Sequence, residues 1–448
     1  MARLEFFEVY NLFGRYTNRI PLNTSERVTA IIGPNGRGKT ICLRMIDAFY
    51  KKNFWYFSSI QFDYVNFYFS DGGFVRISRK VDQEEFFDDL PDSSSGRLLF
   101  EFHTPSGHFE SWEPTLSIAY GQANMIARFL PFLTRVSPNK WIDDRTGELL
   151  RTEEVVEQNF HLLPPDLVPN KTSTESEIYN GMIGGVECHL IETQRLLSLP
   201  SEGAGFDSRS KSKSKPDLVV QKKALRLKTI LQRQLAHYAS ISQKLDRTFP
   251  ARVIENRRIT EIDIEELVHR FTALEDKRKF LQSAGIIDTE VSQLGLPDRF
   301  DKEIAKLLRV YISDTEEKLS IFDDIQERIE VFVRIISDRF LDKTVQVDRE
   351  CGFRIVTYYN EDVPLDKLSS GEQHQLVMVF ELLFEMSKNS IILIDEPELS
   401  LHVGWQKRFV SDLLEIIALN ELDVVLATHS PQLIGRWRSL TVELGSVE

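Results

Sequence analysis

The stretch GPNGRGKT at residues 33–40 restricts this chain more than any other. It fills every position of the pattern G-x-x-x-x-G-K-S/T. It follows a short apolar run, RVTAIIG (27–33), and precedes a helical sequence, TICLRMIDAFY (40–50). A buried strand, a glycine loop and a helix in that order make a phosphate cradle. Glycines let backbone amides close around phosphate oxygens, and the helix start adds positive potential. Lys39 then reaches the β- and γ-phosphates, and the Thr40 hydroxyl ligates Mg²⁺. The nucleotide-binding residues expected here are Gly33, Pro34, Asn35, Gly36, Arg37, Gly38, Lys39 and Thr40.

A nucleotide fold of this kind needs acids at the same sheet edge. IILIDEPE (391–398) is four apolar residues followed by carboxylates, a pattern that delivers acids at the C-terminal end of a buried strand. Asp395 is expected to hold Mg²⁺, directly or through water, and Glu396 to act as general base on the attacking water. LATHSP (426–431) puts His429 just past another buried run, where it can sense a γ-phosphate. A lone histidine in such a place more often satisfies a core contact; the loop and the acids argue for the functional reading.

The rest of the chain sets the frame. Its 448 residues allow two to three domains, or one large domain carrying an insertion. A content of 42% hydrophobic and 27% charged residues suits a soluble globular chain. No leader sequence and no span of about 18 apolar residues is recognisable, so a cytoplasmic location without a membrane is expected. Three scattered cysteines, Cys42, Cys188 and Cys351, suggest neither a disulfide framework nor a zinc site. The net charge of −13 gives no bulk attraction to nucleic acid, although a local basic face or a basic partner stays open.

The N-terminal part reads as β-rich. FDYVNFYFSDGGFVRISRK alternates on both sides of SDGG (70–73), a hairpin signal, and ECHLIETQ (187–194) reads as a further strand. The acidic stretch 84–92 reads as a surface loop. Residues 199–217 carry small, polar and basic residues without an apolar period, which predicts a flexible loop. A helical region follows. Leu227, Leu231, Leu235, Tyr238 and Leu245 share one face, and Ile264, Leu267, Phe271 and Leu274 another. A third, longer stripe runs from Ile304 through Leu319 and Phe322 to Ile336, after a break at Gly285 and Pro297. Helices of roughly 20 to 40 residues make a short projection of about 30 to 60 Å. KTVQVDRECGFRIVTYYN then reads as two strands turning at DRECG. The expected division is an N-terminal lobe 1–198, a loop 199–217, a helical insertion 218–340 and a C-terminal lobe 341–448.

The order of these motifs resembles the ABC ATPases of the SMC, RecF and OLD class. The resemblance rests on the phosphate loop, on LSSGEQ (368–373), on Asp395–Glu396 and on His429. IETQRL (191–196) looks like the segment bearing that family's Q-loop glutamine, which falls on Gln194. It departs from the family's transporters in reading LSSGE for LSGGQ and in placing His402 where their D-loop ends in Asp. The resemblance implies an α/β fold: a P-loop mixed sheet with an antiparallel β subdomain and a compact α-helical insertion. It implies ATP and Mg²⁺ as cofactors, with Gln194 joining Thr40 and Asp395 at the metal. It further implies a homo-oligomer in which LSSGE of one subunit closes over ATP on the P-loop of another, through Ser369, Ser370, Gly371 and Glu372. The same residues also make an ordinary helix N-cap.

Further stretches, HLIETQRLL (189–197) and LDRTFPARV (245–253), resemble the ATPase subunit of the PARIS anti-phage system; the Septu ATPase subunit is a second likeness. This implies a slow, regulatory ATPase that holds a separate Toprim-like nuclease effector subunit until a phage-encoded DNA-mimic trigger protein releases it. No room for a Toprim domain is expected after His429. The basic run Arg209, Lys211, Lys213, Lys215, Lys222, Lys223, Arg226 and Lys228 is the candidate surface for an acidic trigger. The alternative is a RecF-like or SMC-like DNA-binding repair ATPase, and binding of DNA itself stays open.

Overall fold

The computed structural model describes residues 2–80, 97–114, 120–137, 140–159, 163, 177–192, 219–255, 263–287, 301–401 and 403–445. Gln194, His402, the stretches 84–92 and 199–217, Pro297 and the basic residues from Arg209 to Lys215 lie outside them. The chain divides into two compact units: Met1–Thr193 with Ser387–Glu448, and Gln194–Met386.

In the first unit the chain opens with β1 (Leu4–Leu12), β2 (Tyr16–Pro21) and β3 (Val28–Ile32). The phosphate loop leads from β3 into α1 (Lys39–Tyr50) and a short α2 (Phe54–Ser58). The predicted hairpin forms as β4 (Tyr64–Phe69) and β5 (Phe74–Lys80), its turn held by the Gly73 amide donating to Asp71 Oδ1 at 2.9 Å. After β6 (Arg97–His103) and β7 (Phe109–Trp112), a small subdomain comprises α3 (Tyr120–Phe129), β8 (Leu133–Ser137), β9 (Lys140–Asp143), β10 (Leu149–Arg151) and α4 (Thr152–Asn159). Its core is the fully buried Trp141, whose indole N–H donates to Thr152 Oγ1 at 3.0 Å. α5 (Glu177–Ile183) and β11 (Cys188–Glu192) close this part.

The second unit begins with α6 (Val219–Glu255), whose Val220, Ala224, Leu227, Leu231 and Leu245 recur at helical spacing and are buried. α7 (Ile264–Ser283) is capped by Asp263, whose side chain accepts from the amides of Glu265 and Glu266. The long third stripe proves to be two helices, α8 (Lys302–Ser320) and α9 (Asp323–Ser337). Phe322 turns inward between them, fully buried with its ring 5.4 Å from that of Tyr238. Asp323 and Asp324 then open a new first turn, where carboxylates are favoured by the helix dipole. Apolar periodicity is indifferent to such a break, because the stripe stays in register across it.

β12 (Lys343–Asp348), β13 (Gly352–Thr357) and β14 (Asp362–Val363) follow as an antiparallel sheet, and then α10 (Ser370–Phe380) with a π-helical turn, Glu381–Glu385. Residues 341–386 fall within this second compact unit. The reason is aromatic packing: Phe332 of α9, Phe353 of β13 and Phe380 of α10 lie with ring centroids 5.6 to 6.1 Å apart.

The chain then returns to the first unit with β15 (Ile391–Asp395), α11 (Val403–Asn420), β16 (Asp423–Ala427) and β17 (Thr441–Glu443). Two larger sheets result. One is antiparallel, in the order β2-β1-β4-β5-β6-β7; the other is β11-β15-β16-β3-β17, with every pairing parallel. Among the described residues the antiparallel strands form sheets of their own beside this parallel one. This is the α/β fold with an antiparallel β part and a helical insertion expected of an ABC-type ATPase head. A phenylalanine-rich core, with Phe49 and Phe67 stacked at 4.0 Å, packs α1 on the antiparallel sheet.

Candidate functional site

The parallel sheet aligns its C-terminal ends. Glu192, Asp395, Ala427 and Ile31 sit in one row across β11, β15, β16 and β3. Asp395 lies in that row, and the phosphate loop 33–40, Glu396 and His429 follow it. Brief apolar strands, buried on both faces, are what put them there.

The phosphate loop has the backbone its glycines allow. Gly33, Gly36 and Gly38 take φ of 152°, 80° and 86°. A Cβ on Gly33 would sit 2.7 Å from the Leu444 carbonyl oxygen, so the loop tolerates no side chain there. Asn18 of β2 braces the loop by donating from Nδ2 to the Arg37 carbonyl at 2.8 Å. Arg37 itself lies over the Tyr16 ring at 4.9 Å.

Lys39 curls back over the loop, its ammonium donating to the carbonyls of Gly33 (2.8 Å) and Pro34 (3.1 Å). It also lies 3.3 Å from His429 Nδ1. Lys39 is buried, and burial pulls its pKa below the ordinary lysine value. Glu396, Asp395 and Glu398 oppose that shift without cancelling it. Thr40 Oγ1 donates to Asp395 Oδ1 at 3.0 Å. A hydroxyl and a carboxylate so close form a hard-oxygen pair suited to a divalent cation such as Mg²⁺.

Glu396 adopts a left-handed backbone, φ 48° and ψ 53°, which a non-glycine residue holds only at a cost of about 1–3 kcal/mol. Its amide donates to the Ala427 carbonyl at 2.9 Å, which keeps the turn in place. The half-exposed carboxylate lies 3.6 Å from His429 Nε2. With an ammonium facing Nδ1, the imidazole tautomer carrying its proton on Nε2 suits both neighbours.

The sequence reading passed over three residues that build this site. Glu398 Oε1 accepts from the His429 amide at 2.6 Å, and its Oε2 is buried without a hydrogen-bond partner among the described residues. Gln406 on α11 accepts from Ser430 Oγ at 2.6 Å and donates to the Leu401 carbonyl at 3.2 Å, tying the histidine loop to the start of that helix. Asn18 is the third. The second acid of DEPE was the one available signal for Glu398; nothing local marks Gln406 or Asn18.

The predicted signature residues lie in the second unit. Ser369 caps α10 as a complete capping box: its Oγ accepts from the Glu372 amide at 3.3 Å, and Glu372 Oε2 accepts from the Ser369 amide at 2.9 Å. Glu372 Oε1 also accepts from Lys343 at 2.7 Å. Burial raises the Glu372 pKa, but Lys343 and the two Ser369 donors together outweigh it and leave the carboxyl lowered. Ser369 and Ser370 are exposed at the helix start, with Gly371 half-buried behind them. Behind this end Gln373 is buried, donating to the Leu368 carbonyl at 2.9 Å.

Of the proposed basic run, Lys223 is not available. It is held between Glu381 (2.7 Å) and Glu385 (2.6 Å) with only 12% of its side chain exposed. Lys222 and Arg226 are exposed on α6, and Lys228 is half-buried. Among the described residues no helix is long and apolar enough to cross a membrane.

Residues 217–435 match the family AAA domain, putative AbiEii toxin, Type IV TA system; the phosphate loop precedes the matched span. No curated protein matches the chain. Solved structures similar to it include an Smc head domain with an extended coiled coil, bound to the C-terminal domain of ScpA, from Pyrococcus furiosus. That pair is 14% identical over 99% of this chain and 93% of the other, with a TM-score of 0.32. The SMC head domain from Thermotoga maritima is 12% identical over 96% and 91%, with a TM-score of 0.31. An SmcHead bound to the C-winged helix domain of ScpA is 11% identical over 98% and 93%, with a TM-score of 0.34.

Proposed function

We propose that this protein is an ATP-binding and ATP-hydrolysing switch of the ABC type, closed by a second copy of itself. The observation that carries the reading is the meeting of Thr40 with Asp395 and of Lys39 with His429 at one sheet edge. The loop amides and Lys39 bind the phosphates, and Thr40 and Asp395 hold Mg²⁺, which neutralises phosphate charge when bound. Glu396 accepts the proton of the attacking water. His429, fixed through its amide by Glu398, contacts the terminal phosphate. Ser369 and Gly371 of a second copy donate to that phosphate from across the interface, aided by the positive end of α10.

Lys39→Ala is expected to weaken ATP binding by about two orders of magnitude or more, since it removes charge-assisted bonds to phosphate. Glu396→Gln is expected to bind ATP normally and lower turnover by about 10² to 10⁴. Fluorescent-nucleotide titration and phosphate release read the two. Tight binding by Lys39→Ala, or unchanged turnover of Glu396→Gln, defeats the assignment.

The biological role we propose is that of sensor and scaffold in a PARIS-like anti-phage system, holding a separate Toprim-like nuclease until an acidic DNA-mimic trigger arrives. The motif resemblance supports it, as does a match to a toxin–antitoxin-related family. Lys222, Arg226 and Lys228 of α6 remain as candidate contacts for the trigger. Isolation of the native complex tests this reading. A co-purifying nuclease that leaves on addition of a DNA-mimic protein supports it; a DNA-repair nuclease in its place overturns it.

A further inference from the structure

His429 is aimed by its backbone more than by its surroundings. Its side chain is 32% exposed, so packing alone does not fix the ring. Yet Nδ1 lies 3.3 Å from the Lys39 ammonium and Nε2 lies 3.6 Å from the Glu396 carboxylate. The loop beneath the ring has its amides committed in succession. Thr428 donates to the Ile31 carbonyl at 3.0 Å, His429 to Glu398 Oε1 at 2.6 Å and Ser430 to Thr428 Oγ1 at 3.0 Å.

One further tie runs through a buried side-chain amide. Gln406, in the first turn of α11, accepts from Ser430 Oγ at 2.6 Å. Its Nε2 donates to the Leu401 carbonyl at 3.2 Å and approaches the Glu398 carbonyl at 3.5 Å. The amide can face only this way, because turned over it would set its oxygen against both carbonyls. A closed ring results. Gln406 holds the backbone of Glu398, the Glu398 carboxylate holds the His429 amide, and the neighbouring Ser430 hydroxyl returns to Gln406. Glu396 lies two residues before Glu398, and its own amide donates to the Ala427 carbonyl at 2.9 Å. The ring thus clamps the loop that carries the proposed general base to the loop that carries the histidine.

We propose that Gln406 is a positioning residue for ATP hydrolysis, acting through Ser430 and Glu398 to hold His429 against Glu396 and Lys39. The inference rests on the role given to His429 above and adds the device that sets its geometry. A ring displaced by about an ångström costs on the order of a hundredfold in rate. Loss of the clamp therefore lowers turnover without loosening the phosphate loop, whose glycines and Lys39 are held by other bonds.

The test uses the full chain with ATP and Mg²⁺ and measures phosphate release over a range of ATP concentrations. Gln406→Met, close in size but without the amide, is expected to lower kcat about ten- to a hundredfold with KM for ATP within about threefold. Ser430→Ala is expected to lower kcat in the same way, while Ser430→Thr, which keeps the hydroxyl, retains about a third or more of parent turnover. In the slower His429→Ala protein, neither Gln406→Met nor Ser430→Ala is expected to reduce the rate further. A change that merely unsettled the fold would add its loss there too. If Gln406→Met does not fold, Ser430→Ala and Ser430→Thr decide the matter, and equal loss in both overturns the proposal. If His429→Ala slows turnover but the Gln406 and Ser430 changes do not, or if they slow the His429→Ala protein as much as the parent, the positioning role fails alone. If His429→Ala turns over at the parent rate, the role given to His429 fails and the positioning role with it.

Discussion

At the scale of single residues, Lys39 shows how one side chain carries conflicting demands. Burial lowers its pKa, while three carboxylates nearby restrain the fall. Between the lowered value and the ordinary lysine value the unfolded chain binds more protons than the folded one. The burial penalty is thus fully present at neutral pH, and stability from this group rises as pH climbs through that window. Nucleotide binding has the opposite sign, because phosphates need the ammonium. ATP affinity is expected to fall at a lower pH than an ordinary lysine would dictate. Titration at constant ionic strength checks this, and an affinity that stays flat until an ordinary lysine deprotonates contradicts it. The proposed roles of Lys39, Thr40, Asp395 and Glu396 were legible in the sequence because each sits in a short motif with its own strand. Glu398 was not, since its partner is the backbone of a residue 31 positions away.

At the scale of elements, the β12–β13 turn gives a sharp case. Gly352 has φ of +87°, and a Cβ there would lie 1.9 Å from the Ala224 carbonyl oxygen of α6. The strand start and the helix are in backbone contact, so neither can yield by rotating a side chain. Gly352→Ala is expected to destabilise the second unit by about 3 kcal/mol or more, through left-handed strain and overpacking together. Thermal unfolding followed by circular dichroism measures it; a loss below about 1 kcal/mol shows that the backbones can separate. The sequence reading found the turn from DRECG but not the contact, because nothing in the turn names the helix that fills the space. The apolar stripe from Ile304 to Ile336 likewise announced helix and concealed a boundary. Only the burial of Phe322 between α8 and α9 revealed it.

At the scale of the whole molecule, the proposed mechanism requires assembly. Lys39 and Glu396 belong to one compact unit and Ser369 to the other. Ser369→Arg, at the exposed start of α10, is expected to leave nucleotide binding within about twofold of the parent while blocking ATP-dependent self-association and turnover. Light scattering with and without ATP decides it; association that survives removes LSSGE from the interface.

By itself the sequence determined the phosphate loop, the buried strands that end in Asp395 and before His429, and the capped helix after LSSGE. Each depends on residues a few positions apart, whose spacing and backbone freedom suffice to specify it. Tertiary structure decided which of these meet. Lys39 approaches His429 across 390 positions of chain, and Thr40 reaches Asp395 across 355. Residues 341–386 joined the helices through three phenylalanines that share no local motif. Contacts of that range follow from the register of a parallel sheet and the packing of a core, which no short pattern encodes.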